Sequence, residues 1–539
     1  MSKNNNGLIP HNSSFAKTGT FLNPSNKGFS ESLRSKIYVD KSRLISYTNS
    51  VINTEQKFVC VSRPRRFGKT MAVKMLVAYY SLGCDSMKMF ANLHISDDRS
   101  HPEHLNKYNV IFLDMQRFLS ESDDIDGMID SIKSKIVRDI VKLYSNLFSP
   151  SLDEDLTDIL QELYTVTGSE IVFIIDEWDC VFREYKTDIS GQKRYLEFLR
   201  TILKTTEYVA LAYMTGILPI KKHGGHSELN MFREFSMTNP GKLAEFVGFT
   251  QDEVMSLCDT YKMDYNELSR WYNGYNFSKI KSVYNPRSVV EAILSEELDN
   301  YWTITETYEA LSVYFNMNFD GLKDIIIQLL AGEKREINIR KFQNDMATFS
   351  TSDDILTLLI HLGYLQYDFD TREVSIPNKE ILDEFVTATE GVGWCEVINA
   401  IRSSNDLLKA TWLGDSNTVA QLIGRTHNET SHLQYNDENA LSYVVSLAYF
   451  RANDFYEIVR EMPTGKGFAD LVFLPRKKHT DKPAILIELK WDKSAIGAMQ
   501  QIKNKKYPEV LRDYKGNTLL VGINYDKKSK KHECAIEKM

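Results

Sequence analysis

Lys57-Phe-Val-Cys-Val-Ser62, Arg63-Pro-Arg-Arg-Phe-Gly-Lys-Thr70 and Met71-Ala-Val-Lys-Met-Leu-Val-Ala-Tyr-Tyr80 follow one another without a gap, and their order decides the fold. The first segment is a short apolar run that reads as a strand, and the last has the composition of a helix. Between them lies a Gly-Lys-Thr turn, so the order is the strand, turn and helix of a phosphate-binding loop. Each residue type has a task there. Gly68 lets the backbone come close to an anion, Lys69 can reach the beta and gamma phosphates, and the Thr70 hydroxyl at the helix start can ligate magnesium. Arg65 and Arg66 either add positive charge beside the phosphates, contact a neighbouring domain or face solvent. Arg63 stands five residues before Gly68, where the usual pattern has glycine, and a side chain there is expected to disturb the standard loop because positive φ favours glycine.

The loop needs an acidic partner, and Ile171-Val-Phe-Ile-Ile-Asp176-Glu177-Trp178-Asp179 supplies one. Its continuous apolar run predicts a buried parallel strand that ends where Asp176 can hold magnesium and Glu177 can orient an attacking water. Asp179 either orients Glu177 or makes only a domain contact. Val209 to Met214 reads as another strand, ending at Thr215-Gly216 where the Thr215 hydroxyl can sense a gamma phosphate; ordinary strand capping is the competing reading. Asn109 to Asp114 adds a further strand, with Asp114 assigned to the fold rather than the ligand. Helical segments near 125–145 and 192–207 complete a three-layer α/β core of the P-loop NTPase type. Arg200, Arg233 and Lys242 are candidate phosphate-sensing cations.

From about 245 the composition turns helical, interrupted by Trp271-Tyr-Asn-Gly-Tyr275 and Tyr284-Asn-Pro-Arg287, whose aromatics and proline suit turns and packing. Ile355 to Leu362 predicts a helix stopped by Gly363, and His361 within it has no second His or Cys at ligand spacing, so it is expected to be a packed residue. After helical material at 396–424 and 438–450, Phe455 to Val459, Ala469 to Leu474 and Ala484 to Lys490 read as neighbouring strands. Glu488 and Lys490 are two apart and share a face of their strand, and Asp470 can approach from the strand beside it. Asp470 and Glu488 can bind magnesium or manganese, while Lys490 can orient water or steady phosphate charge. Glu438, at a helix start, either completes that metal site or stabilises the helix N-terminus. Gln500 and Tyr507 are candidates for contact with a substrate backbone, with packing and solvent exposure as the competing readings.

The whole composition sets the frame. At 539 residues with 42% apolar content, the chain can build two or three cores. Its 65 Lys plus Arg against 73 Asp plus Glu give a net charge of -8, which excludes an overall basic coat for indiscriminate nucleic-acid binding. Basic residues nevertheless gather at Arg476–Lys478, Lys503–Lys506 and Lys527–Lys531, close in sequence to the second acidic set. The six cysteines form no CxxC pair, and there is neither a signal-peptide core nor an apolar run long enough to span a membrane. A soluble cytoplasmic protein with no membrane partner is expected.

Arg65-Arg66-Phe67-Gly68-Lys69-Thr70, Ile175-Asp176-Glu177-Trp178-Asp179, Thr215-Gly216, Trp271 to Tyr275, Tyr284-Asn-Pro286, Ala469-Asp470, Glu488-Leu-Lys490 and Gln501-Ile502 occur in an order that resembles a bacterial family joining an AAA-ATPase-like domain to a C-terminal PD-(D/E)XK nuclease domain. Ala469 stands where the nuclease pattern has proline. The resemblance implies an α/β multidomain fold with a P-loop domain at 31–245 and a restriction-endonuclease-like α/β domain at 386–539, while composition suggests a flexible Asn-, Ser- and Gly-rich leader at 1–30 and a helical lid or winged module at 246–385. The resemblance also implies nucleotide roles for Lys69, Thr70, Asp176 and Glu177, a nuclease core of Asp470, Glu488 and Lys490, ATP with Mg2+ or Mn2+ as cofactors, and DNA as the nucleic-acid partner. The expected function is ATP-controlled, metal-dependent phosphodiester cleavage. The alternatives are a regulatory ATPase that binds nucleic acid or a protein without cutting, and an interaction protein whose pockets have decayed; a homo-oligomer is compatible with each.

Overall fold

The computed structural model describes residues 18–539 except 152, 221–228, 278, 303–308, 318, 344–347, 391–393, 430–437, 464–467, 505–510, 512, 513 and 515. The chain divides into two compact units, Met1–Asp299 with Asn338–Arg372, and Asn300–Ile337 with Glu373–Met539.

The first unit is built on β1 (Phe58–Ser62), β2 (Asn109–Asp114), β3 (Ile171–Asp176), β4 (Val209–Gly216) and β5 (Arg233–Phe235). They form one sheet in the order β2-β3-β4-β1-β5, parallel throughout. Every residue of β1, β3 and β4 is buried, which requires cover on both faces and makes the unit three-layered. The helix α1 (Lys69–Tyr80) leaves the end of β1 through Gly68, whose φ of 93° is in the left-handed region. The helix expected at 125–145 spans Ile125–Tyr144, and the one expected at 192–207 spans Ile189–Leu203. The second is shifted because Asp188 caps it, its carboxylate accepting from Gly191 N at 2.9 Å.

The expected leader has two parts. Residues 1–17 lie outside the described residues. Residues 20–22 are tied down, because Asp139 Oδ2 accepts from the backbone N–H of Thr20, Phe21 and Leu22 at 2.8, 2.6 and 3.1 Å. Leu22 is fully buried and bridges to Ile111, so the stretch expected to be flexible is bound into the unit from there on. His361 is buried with its ring stacked on Phe342, in the helix Ser352–Leu362 that Gly363 ends at φ 89°.

The second unit holds β6 (Tyr456–Pro463), β7 (Phe468–Pro475), β8 (Ala484–Trp491), β9 (Thr518–Asp526) and β10 (Lys531–Lys538) in that spatial order. Of these neighbours only β8 and β9 are parallel, and the connection between them contains α2 (Ala495–Asn504). Alternate residues of β8 feed two cores. Ile485 and Ile487 pack with Leu407, Val419, Ile423 and Val444 from helices, while Leu486 packs with Met499 and Ile502 of α2. The helical material expected at 396–424 forms two helices, Cys395–Leu413 and Ser416–Glu429, with Gly414 at φ 75° between them.

Candidate functional site

In the first unit, the ends of β1, β3 and β4 meet at the turn that starts α1, the position where open parallel sheets bind ligands. The turn is left-handed at Arg66 (φ 67°) and at Gly68, alternation of the kind that gathers backbone N–H groups for an anion. Lys69 is buried, and its Nζ donates to the carbonyls of Arg63 and Pro64 at 3.0 and 2.9 Å. Thr70 Oγ1 donates to Asp176 Oδ2 at 2.9 Å, and the buried Thr215 Oγ1 donates to Asp176 Oδ1. Lys69, Thr70, Asp176 and Thr215, assigned separately from sequence, therefore converge. Arg65 is exposed and Arg66 half-buried on the same turn. Asp114 caps the helix Met115–Ser120, accepting from Arg117 N at 3.0 Å, in the fold role expected of it. Arg233 pairs in register with Val59, three residues before the end of β1, and so starts at the other end of its strand from the turn.

Arg63 does not disturb the loop in the way expected. It is absent from the positive-φ residues, and its side chain is fully buried. Its Nη1 donates to the carbonyls of Ser62 and Phe235 at 2.9 and 3.0 Å, and the guanidinium lies 4.6 Å from the Phe277 ring centroid. Burial lowers its pKa to about 10. The side chain that replaces glycine thus fastens the loop to β5 and to the strand Tyr275–Phe277, and Phe67 adds an edge contact to Tyr275 with centroids 5.1 Å apart.

The acids past β3 are sharply differentiated. Glu177 sits at φ 55° and is ion-paired with Arg183 Nη2. Asp179 is fully buried, and its Oδ2 accepts from the backbone N–H of Ile217 and Leu218 at 3.1 and 2.8 Å and lies 3.3 Å from Arg183 Nε. Asp179 therefore holds the segment that follows Thr215 and also shares Arg183 with Glu177. Arg183 was not found from sequence, although the i, i+4 spacing with Asp179 was a visible signal. Burial pushes the carboxyls of Asp176 and Glu177 upward, against the pull of Thr215 and Thr70 on the first and of Lys69 on the second. Burial likewise lowers Lys69, offset by Glu177, Asp176 and Asp179. For Arg183, burial is outweighed by Asp179 and Glu177 and the pKa rises. A threonine hydroxyl touching a carboxylate beside a lysine is a donor set that fits a hard divalent cation with a phosphate chain.

In the second unit, Asp470 on β7 turns to β8, where its Oδ2 accepts from Leu489 N at 2.6 Å. Glu488 is buried, and its Oε1 accepts from Lys490 Nζ at 3.2 Å and from Gln501 Nε2 of α2. Lys490 Nζ also donates to the Leu489 carbonyl at 2.9 Å. An ammonium thus rests against a carboxylate and a carbonyl, oxygen donors that suit magnesium or manganese. Among the described residues no group of three His, Cys, Asp or Glu forms a metal site. Glu438 begins the helix Glu438–Ala448, but its side chain lies outside the described residues, as does Tyr507. Gln500 is exposed, and its neighbour Gln501, part of the Gln501-Ile502 pair in the ordered motifs, is the one that reaches Glu488. Gly522, opposite Glu488 in register, allows α2 this approach, since a Cβ there would meet the Ala495 carbonyl oxygen at 2.6 Å.

Residues 29–224 match the family described as predicted AAA-ATPase, and residues 437–534 match the PD-(D/E)XK nuclease superfamily. The chain joins an AAA-ATPase-like domain to a C-terminal PD-(D/E)XK nuclease domain. At family level it therefore carries ATPase and nuclease-type domains, and such families use nucleotide and divalent metal. A curated relative, the uncharacterized protein in vnfD 5'region of Azotobacter chroococcum mcd 1, is 23% identical over 258 residues, 46% of this chain and 47% of that protein. The chain spans about half the length of the curated relative it matches. Two solved structures of the Aeropyrum pernix ORC2 protein are also similar. The ADPNP-ADP complexes are 11% identical with a TM-score of 0.30, covering 66% of this chain and 97% of that one. The ADP form is 10% identical with a TM-score of 0.27, covering 71% and 96%. Among the described residues, no helix is long and apolar enough to cross a membrane.

Proposed function

We propose that this protein is an ATP-binding and ATP-hydrolysing enzyme that controls a magnesium- or manganese-dependent nuclease domain acting on DNA. The observation that carries the first half is the convergence of Thr70 and Thr215, 106 and 39 residues from Asp176 in sequence, on that one buried carboxylate. Lys69 binds phosphate by exchanging its two loop carbonyls for phosphate oxygens. Thr70 and Asp176 hold the cation, Thr215 reports on the gamma phosphate through Asp176, and Glu177 orients water once released from Arg183. In the second unit, Asp470 and Glu488 hold the metal, Gln501 fixes the Glu488 carboxylate, and Lys490 steadies charge on the phosphate. The bound metal supplies Lewis acidity at the phosphodiester. The domain boundaries at 30, 245 and 385, a cytoplasmic location and a homo-oligomer or protein partner belong to the same proposal.

Lys69→Ala tests the nucleotide half. Folded variant protein is expected to lose ATP hydrolysis, and turnover equal to the parent refutes the assignment. Retained ATP turnover in the parent, with no cleavage of DNA or RNA, favours a regulatory ATPase that binds without cutting.

A further inference from the structure

The end of the second sheet that carries Asp470 and Lys490 also presents apolar and basic groups that cleavage chemistry does not use. Phe468 stands two residues ahead of Asp470 on β7 and is 60% exposed. Ile496, in the first turn of the helix that brings Gln501 to Glu488, is 69% exposed. Parallel to β8, β9 places Asn524 opposite Lys490 and runs on into Asp526-Lys-Lys-Ser-Lys-Lys531, where all four lysines are exposed. At about 3.3 Å per residue, Lys527 begins roughly 10 Å beyond the level of Lys490. This basic turn is built: Asp526 Oδ1 accepts from Ser529 N and Oγ at 2.6 and 2.9 Å, and Asp492 Oδ1 accepts from Lys527 N at 3.1 Å. Lys530 takes φ 56° to close it. By contrast, Arg476–Lys478 follow the far end of β7.

A duplex hides its base faces in its own stack, so an exposed ring beside a phosphodiester site finds no π-face there. An unpaired strand offers one at every base and keeps its phosphates for lysines. We infer that this end of the sheet grips an unpaired nucleic-acid strand, with Phe468 stacking on a base next to the phosphodiester, Ile496 covering the opposite apolar edge, and Lys527, Lys528, Lys530 and Lys531 taking backbone phosphates. The inference rests on the nuclease reading of Asp470, Glu488 and Lys490.

Binding in chelator separates it from cleavage. The full chain and its variants are titrated into labelled single-stranded DNA, single-stranded RNA of the same sequence and the duplex, read by fluorescence anisotropy across salt. The parent should prefer a single strand. Phe468→Ala should weaken binding to that strand about 5- to 150-fold while leaving the duplex unchanged, and Phe468→Trp should retain it. Replacing the four lysines by glutamine should flatten the salt dependence by roughly 0.7 in slope for each phosphate that is no longer neutralised. A preference for duplex, no binding to either strand type, or Phe468→Ala binding like the parent overturns the inference. A loss in Phe468→Ala with no cleavage of any oligonucleotide by the parent in magnesium keeps the grip and removes the cleavage reading.

Discussion

Asp179→Ala probes how the nucleotide site is held together. The carboxylate is fully buried and accepts from two backbone amides, Ile217 N and Leu218 N, while facing Arg183 Nε at 3.3 Å. Alanine leaves both amides without their acceptor and leaves Arg183 with Glu177 as its remaining acid in this cluster. Hydrogen bonds to a charged group contribute about 1.5–3 kcal/mol each, and breaking a buried ion pair costs about 3–5 kcal/mol. These overlap in one side chain, so a loss of about 3–5 kcal/mol is expected for the first unit. For a unit of about 330 residues the conversion is about 1.4 °C per kcal/mol, so its melting transition should fall by roughly 4–7 °C. Asp179→Asn keeps one acceptor oxygen and loses the charge, and should melt between the parent and the alanine variant. The assay is thermal unfolding of parent and both variants, with ATP hydrolysis measured at a temperature where all are folded. Because Thr215 precedes the held segment and bonds Asp176, hydrolysis should drop too. An alanine variant melting within about 2 °C of the parent refutes the reasoning.

Two further outcomes follow from the same region. In Gly216→Ala, the new Cβ would lie 2.6 Å from Trp178 Nε1 and 2.8 Å from Asp179 Oδ1 in a fully buried cluster, so a loss of about 1–3 kcal/mol is expected, measured by urea unfolding. Asp176 and Glu177 are raised by burial; carboxyls with folded pKa values above their unfolded ones add stability as pH falls through the folded pKa and have lost that addition above it. ATP turnover has the opposite sign, since Glu177 must be ionised to orient water, and should fall on acidification before ordinary carboxylates titrate at about 4.3. A turnover profile flat down to that pH contradicts the assignment of Glu177.

Much of this was legible because the decisive signals are local. A five-residue apolar strand running into Gly-Lys-Thr, and an apolar run ending at Asp176, are read without any knowledge of distant contacts, and the two strands do end at one site. Glu488 and Lys490 are related by strand alternation alone, which is equally local. What escaped depends on tertiary approach. Arg63 was read through the backbone demand of a glycine position, whereas its buried guanidinium meets Phe235 and Phe277, far along the chain. Arg183 acts on Glu177 across a turn, with the four-residue step from Asp179 as its local mark, and Gln501 acts on Glu488 from a crossover helix, where the Gln501-Ile502 pair marks the residue but not its contact. The residues near 20 look like linker by composition, and a single buried acceptor, Asp139, ties them down.

The most direct test of the central claim is cleavage of supercoiled and linear DNA by the intact protein in magnesium or manganese, with and without ATP, beside Glu488→Ala. The account predicts metal-dependent cleavage that changes with ATP and is lost in the variant. Equal cleavage by variant and parent, or none by the parent in any condition, contradicts it.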